Sequence, residues 1–240
     1  KKNQTDNNIG KHIKHVKAIM QSSFDDNLHN NISYKSSKFK VLKSPADTIY
    51  LTKAEIERFA EVKTKAGTME RKAQQTFVIA ADTGLRFGDA SSIIPTEIIE
   101  KEGRKYLEKI TGKTSERVII PLSRRVIVIL EQYGNRSLDI YEQKHNLHIK
   151  QVAKKAGISN MVSIRRIIGG KEIKSTHKKY ELVTSHTARR SFATNADKAG
   201  IPRAQIMKIT GHRTEVSFLK YIRTGKEENA LSLAQHVFFK

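Results

Sequence analysis

The chain has 240 residues, with 45 Lys and Arg against 24 Asp and Glu, for a formal charge of +21. That length holds one sizeable core and part of a second domain. The excess charge would repel itself in a compact fold, so a polyanionic partner is expected. No apolar run approaches the ~18 residues of a membrane span. The absence of cysteine excludes disulfides, cysteine-ligated zinc and thiol nucleophiles.

Residues 1–34 carry Ile9, Ile13, Val16, Ile19 and Met20 at helical spacing among Lys and His residues. They read as the end of a helical domain. The chain starts Lys1-Lys2 without Met, so it reads as a fragment of a longer protein. Residues 35–48 are polar and basic, with Lys35, Lys38, Lys40 and Lys43 before Ser44-Pro45, and read as a linker. A new domain is expected over 49–240. It opens on a capping box, Thr52-Lys53-Ala54-Glu55. A helix over 70–81 follows, broken at Asp82-Thr83-Gly84, with a short helix from Arg86. Residues 104–110 and 117–121 read as strands around a turn at Gly112-Lys113. Helices are expected over 123–133 and 146–156. A hairpin is expected over 162–176, turning at Gly169-Gly170. Further helices are expected at 187–199, 203–210, 214–223 and 227–238. Gly200 and Gly211 stand where C-cap glycines belong. The fold class is mainly α with a small antiparallel β-sheet.

The sequence lacks a Walker A pattern, GxGxxG, HExxH and an EF-hand loop. His12/His15 and His145/His148 are spaced i,i+3 but lack carboxylate or thiolate neighbours. They read as solvated or nucleic-acid-facing helix residues, and no metal is expected. The segment from Thr184 to Thr194 places His186 and Arg189 on one helical face, with Ala188, Phe192, Ala196 and Ala199 as the buried stripe. Gly211-His212 precedes Tyr221 by nine residues, counting from the histidine. Upstream, Thr83-Gly84-Leu85-Arg86 sets an arginine at a helix start, where anions are attracted. Asp89 is placed to hold the Arg86 side chain. Lys113 lies on the β-turn ahead of Ile120-Pro121-Leu122.

In order, Arg86, Lys113, His186-x-x-Arg189, Gly211-His212 and Tyr221 resemble the six active-site positions of the tyrosine recombinase (phage-integrase) family. The resemblance covers residues 49–224, and the wording is most similar to mobile-element integrases. It implies a catalytic domain of that family preceded by the end of a helical core-binding domain. It also implies site-specific breakage and rejoining of double-stranded DNA through a 3′-phosphotyrosyl intermediate. Tyr221 would be the nucleophile, and Arg86, Arg189 and His212 would hold the phosphate. His186 would act as base or relay, Lys113 would protonate the 5′ oxygen, and Asp89 would support the others. No cofactor is implied, since the covalent link retains the bond energy. Lys35, Lys38, Lys40 and Lys43 would follow the DNA backbone. The resemblance further implies a tetramer on paired sites (a monomer without DNA), accessory DNA-bending proteins, no membrane, and the cytoplasm of a bacterium. It also implies a C-terminal tail that docks on a neighbouring subunit or packs on its own domain. Two other readings share the fold: a type IB topoisomerase and a catalytically silent DNA-binding regulator.

Overall fold

The computed structural model describes residues 4–44, 47–134, 136–219, 221, 222 and 234. They gather into two compact units. One joins the N-terminal segment up to Asp47 with Met161–His177, and the other joins Thr48–Asn160 with the chain from Lys178 onward. The expected tail helix at 227–238 lies outside the described residues, apart from Ala234.

In the first unit, helix α1 (Asp6–Asp25) starts at Thr5, whose side chain accepts from the Asn8 backbone. Gly10 is its buried residue, and a Cβ there would collide with the Leu42 carbonyl. Asn7 imitates a strand neighbour: its amide donates to the Ser44 carbonyl and accepts from the Ser44 N–H, both at 2.9 Å. The stretch read as a linker therefore lies along α1. Lys35, Lys38, Lys40 and Lys43 are exposed, and Lys35 Nζ sits 4.6 Å over the Phe24 ring. Strands β4 (Met161–Ile168) and β5 (Lys171–Lys178) form the expected hairpin. It packs with the N-terminal segment, although it lies within 49–240. Thr5 bridges Ile168, and Asp47 accepts from the Arg165 N–H at 2.9 Å and from its Nε at 3.1 Å.

The second unit is built around α3 (Met69–Thr83), which packs against α2 (Lys53–Glu61), α4 (Phe87–Ser91), α5 (Arg124–Glu131), α6 (Glu142–Lys155) and α7 (Ser185–Lys198). Phe77 of α3 meets Phe59 of α2 with ring centroids 4.6 Å apart, both fully buried. Thr52 and Glu55 form the capping box that the sequence predicts. The antiparallel sheet has the order β1 (Ile98–Lys101), β2 (Arg104–Ile110), β3 (Arg117–Pro121). Leu107 pairs with Ile98 on one side and Ile120 on the other. The chain then continues through α8 (Arg203–Thr210) and α9 (Glu215–Leu219). No described helix is long and apolar enough to cross a membrane.

Two expectations about side chains change here. The buried positions of α7 include Ala188, Arg189, Ala193 and Ala196, while Phe192 is half-buried and Ala199 is exposed. His145 is not a solvated residue but is buried, with its ring 4.7 Å from that of Phe87. Its Nδ1 has no partner among the described residues. Burial, and then the charge of His148, push the His145 imidazole down to about 3. An unfolded histidine titrates near about 6.5. The unfolded chain thus binds the proton more tightly, and this contribution to stability is complete above about 6.5 and lost as pH falls towards 3. In urea unfolding, His145→Leu is expected to weaken the acid sensitivity across that window. An unchanged pH slope would contradict the assignment.

Candidate active site

All six residues singled out as reactive lie in the second unit. The side chain that organises them is Arg189, which is only 2% exposed. Its Nη1 donates to the Gly84 carbonyl at 2.7 Å, and its Nη2 donates to the Thr210 carbonyl. Each carbonyl is at the end of a helix. Gly84 is the left-handed C-cap of α3 (φ 69°), and Thr210 closes α8 before the left-handed Gly211 (φ 61°). Helix C-termini carry negative partial charge and unpaired carbonyls, so they suit a buried guanidinium. Gly84 is required for a second reason, because a Cβ would strike the Phe192 ring.

These two chain ends carry the next site residues. Past Gly84, Arg86 is the N-cap of α4. Past Thr210, Gly211 leads into His212. The Thr210 hydroxyl donates to the Ile206 carbonyl at 2.8 Å and lies 2.7 Å from His212 Nδ1. With its proton directed at Ile206, that hydroxyl accepts from Nδ1–H, and this leaves His212 Nε2 facing away from Thr210. His212 also stacks edgewise on Tyr221, with centroids 4.6 Å apart. Tyr221 falls just beyond α9 rather than inside it. Its N–H bonds to the Phe218 carbonyl at 2.7 Å, and its own carbonyl accepts from Thr194 Oγ1 at 3.3 Å. It packs on a cluster of Ala193, Ala196, Ile206 and Phe218. Two guanidinium groups flank its ring, Arg189 at 5.8 Å and Arg190 at 5.9 Å from the centroid.

Lys113 is exposed on the turn between β2 and β3. Within this turn, Thr111 and Thr114 hydroxyls lie 2.8 Å apart, and the Thr111 N–H bonds to the Glu116 carbonyl at 2.9 Å. Two neighbours hold it. Arg213 Nε donates to Glu116 at 3.3 Å, and Asp89 Oδ1 accepts from the Gly112 N–H at 2.9 Å. The buried Asp89 carboxylate therefore fixes the lysine turn, a different task from steering Arg86. His186 opens α7 with an exposed side chain. The preceding residue ties this end to α6: the Ser185 hydroxyl donates to Glu142 at 2.6 Å and its N–H to Asn146 at 2.8 Å.

The site has a strongly positive field. Burial lowers Arg189 to about 10, and the charge of Arg86 is the next cause. It remains a cation at neutral pH. Burial and then Arg189 and Arg86 push His212 down to about 4. Partial desolvation lowers His186, followed by Arg190, while Glu142 opposes them and Arg189 and Lys113 add to the lowering. Arg86 Nη1 and Arg189 Nε are buried without an acceptor among the described residues. Buried charged donors rarely lack partners. The oxygens of a phosphate would satisfy both. No group of His, Asp and Glu suited to a metal occurs among the described residues. The sequence reading missed Arg190, which is i+4 from His186. It also missed the carbonyls of Gly84 and Thr210, for which a sequence carries no side-chain signal.

The unit is mainly α with a small antiparallel sheet, and it gathers cations around one tyrosine. The chain belongs to the phage integrase family, whose model matches residues 50–228. It is 25% identical over 222 residues to tyrosine recombinase XerC of Rickettsia typhi, covering 88% of this chain and 66% of that protein. It thus spans just under two thirds of that relative's length. The fold is similar to that of XerH site-specific recombinase bound to palindromic difH substrate, with 15% identity, a TM-score of 0.59, and coverage of 82% of this chain and 55% of that one. It is also similar to Tn1549 transposon integrase in complex with circular intermediate DNA, with 16% identity, a TM-score of 0.63, and coverage of 98% and 80% respectively.

Removing the Asp89 carboxylate should release the lysine turn. Asp89→Ala is expected to speed amide exchange at Gly112 by about tenfold or more, since a hydrogen bond to a charged group contributes about 1.5–3 kcal/mol. Exchange as slow as in the native chain would show that other contacts hold the turn.

Proposed function

We propose that this chain breaks and rejoins DNA strands at specific sites, with Tyr221 as the nucleophile. The observation that carries the proposal is the pair of arginines, the half-buried Arg86 and the buried Arg189, each with a buried nitrogen lacking an acceptor among the described residues, gathered with His212 around the Tyr221 site. Family membership supports the same reading.

The chemistry accounts for each residue type. A tyrosine hydroxyl must lose its proton to attack a phosphodiester. His186, whose imidazole is lowered by partial burial and then by Arg190, is the acceptor we assign. Attack places extra negative charge on the phosphoryl oxygens. Arg86 and Arg189 would receive it through rigid, permanently charged forks, and preorganised donors of this kind contribute roughly 10²–10³ in rate each. His212 would offer Nε2 to the same phosphate. With Nδ1–H directed at Thr210, Nε2 donates only when the ring takes up a proton, which a phosphate anion would favour. Lys113 would protonate the departing 5′ oxygen. Asp89 would set the position of Lys113 through Gly112. The product is a 3′-phosphotyrosyl link and a free 5′ hydroxyl, and attack by another strand's 5′ hydroxyl reverses the step.

The partner in this proposal is double-stranded DNA, approached largely through phosphates by a chain of charge +21. The exposed Lys35, Lys38, Lys40 and Lys43 are assigned to its backbone. Recombination between paired sites implies a tetramer, with DNA-bending accessory proteins as further partners and the bacterial cytoplasm as the location. The 1–34, 35–48 and 49–240 division is kept as the functional one, with the hairpin as an insertion.

The test is trapping on nicked DNA duplexes carrying the ends of the element that encodes the chain, in EDTA, on a denaturing gel. A protease-sensitive adduct is expected from the native chain and none from Tyr221→Phe, whose DNA affinity should stay within about threefold, since no phosphate contact is lost. Relaxation of plasmids that lack paired sites would favour a topoisomerase. Intact DNA binding without any adduct, from a full-length protein on its own element ends, would overturn the proposal.

A further inference from the structure

Arg189, which donates to two backbone carbonyls, also interacts with the Tyr221 side chain, and the Tyr221 ring has a second guanidinium at nearly the same distance, that of Arg190. Arg190 is half-buried, and it lies four residues after His186 on α7, so the two share a helical face. One side chain therefore faces both the tyrosine and the histidine assigned to take its proton. A guanidinium near an aromatic ring attracts its π face, and attracts a phenolate far more strongly because a full charge has formed.

We propose that Arg190 is a positioning and charge-stabilising residue of the nucleophile: its cation holds the Tyr221 ring and stabilises the negative charge that develops on the phenolic oxygen as the proton leaves for His186. The inference rests on the cleavage reading of the site. In that step the Tyr221 O–H bond breaks, the proton passes to a neutral His186 nitrogen, and the oxygen's electron pair forms the O–P bond. The P–O5′ bond breaks, and Lys113 supplies the proton that the 5′ oxygen takes. Arg190 exchanges no proton. Among the described residues, the other charged or titratable groups against Tyr221 include Arg189 and His212. Those facing His186 are Glu142, Arg189 and Lys113. Glu142 is the one anion named among them, and it also accepts a hydrogen bond from Ser185.

The signs of the two effects agree. Loss of the Arg190 charge makes the phenolate harder to form, and it also lets His186 hold its proton to higher pH. Both move the acid limb of the rate profile upward.

The experiment compares the native chain, Arg190→Gln and Arg190→Lys. Single-turnover adduct formation on the nicked element-end duplexes is measured across pH. In parallel, the His186 ring resonance is titrated by NMR without DNA. Arg190→Gln is expected to be about tenfold slower near neutral pH, recovering as pH rises, with the His186 midpoint moved up. Arg190→Lys should keep the native profile, because it keeps the charge. An Arg190→Gln profile that superimposes on the native one after scaling for DNA affinity would overturn the inference and leave Arg190 as a phosphate contact. So would an unmoved His186 midpoint, or Arg190→Lys as impaired as Arg190→Gln. Absence of an adduct from the native chain would be a failure of the cleavage reading, and the DNA-free titration would still read the Arg190 charge at His186.

Discussion

A buried guanidinium between two helix ends determines how the second unit is put together. Arg189 donates to the last carbonyls of α3 and α8 at Gly84 and Thr210. A cation so deep in a core would be costly without partners. Here the partners are backbone groups that the helix ends leave unpaired. The arrangement fixes three chain segments at once. The chain leaving α3 carries Arg86, the chain leaving α8 carries His212, and α7 itself carries His186 and Arg190. The glycines at 84 and 211 are part of the same device, since left-handed backbone turns the chain away where each carbonyl is used.

The charge so enclosed is only partly neutralised. Burial and then Arg86 lower Arg189, against the opposing effect of Tyr221 and Asp89, and burial and then the two arginines lower His212. Mutual repulsion of this kind costs stability in the free protein and is relieved by an anion. The geometry thus favours an anion, which is the preorganisation that the proposed reaction needs. The carboxylates nearby offset part of this field, Asp89 at Arg189 and Glu142 at His186, while Asp89 holds the Gly112 N–H and Glu142 accepts from Ser185. They order the loops that carry Lys113 and His186 and leave the buried N–H groups of Arg86 and Arg189 without an acceptor.

Much of this was legible in the sequence, for local reasons. The capping box at Thr52, the strands on either side of Lys113 and the glycine after α8 are short-range signals, and the structure has each of them. The order of the six residues singled out as reactive marked the family, and the family model matches. Other features depend on contacts distant in sequence. The start of α6 was placed four residues late because its N-cap, Tyr141, offers no capping side chain. Strand β1 was missed because four residues, Ile98–Lys101, are too short to show alternation. The hairpin at 161–177 meets α1 through Thr5–Ile168 pairing, more than 160 residues apart, and no local pattern reports that. His145 was read as solvated, because helical spacing alone does not reveal that Phe87 covers it. The spacing puts Arg189 on one helical face with His186 but does not tell that Arg189 is buried, because its partners are main-chain carbonyls.

The account stands or falls on Arg189 being a structural cation as well as a phosphate ligand. Equilibrium urea unfolding of Arg189→Ala beside Arg86→Ala tests this most directly. Leaving two buried helix-end carbonyls unpaired and opening a cavity should cost Arg189→Ala about 2–5 kcal/mol. Arg86→Ala, which removes a repelling charge, should change stability by less than about 1 kcal/mol. Equal and small effects for the two variants would contradict the account.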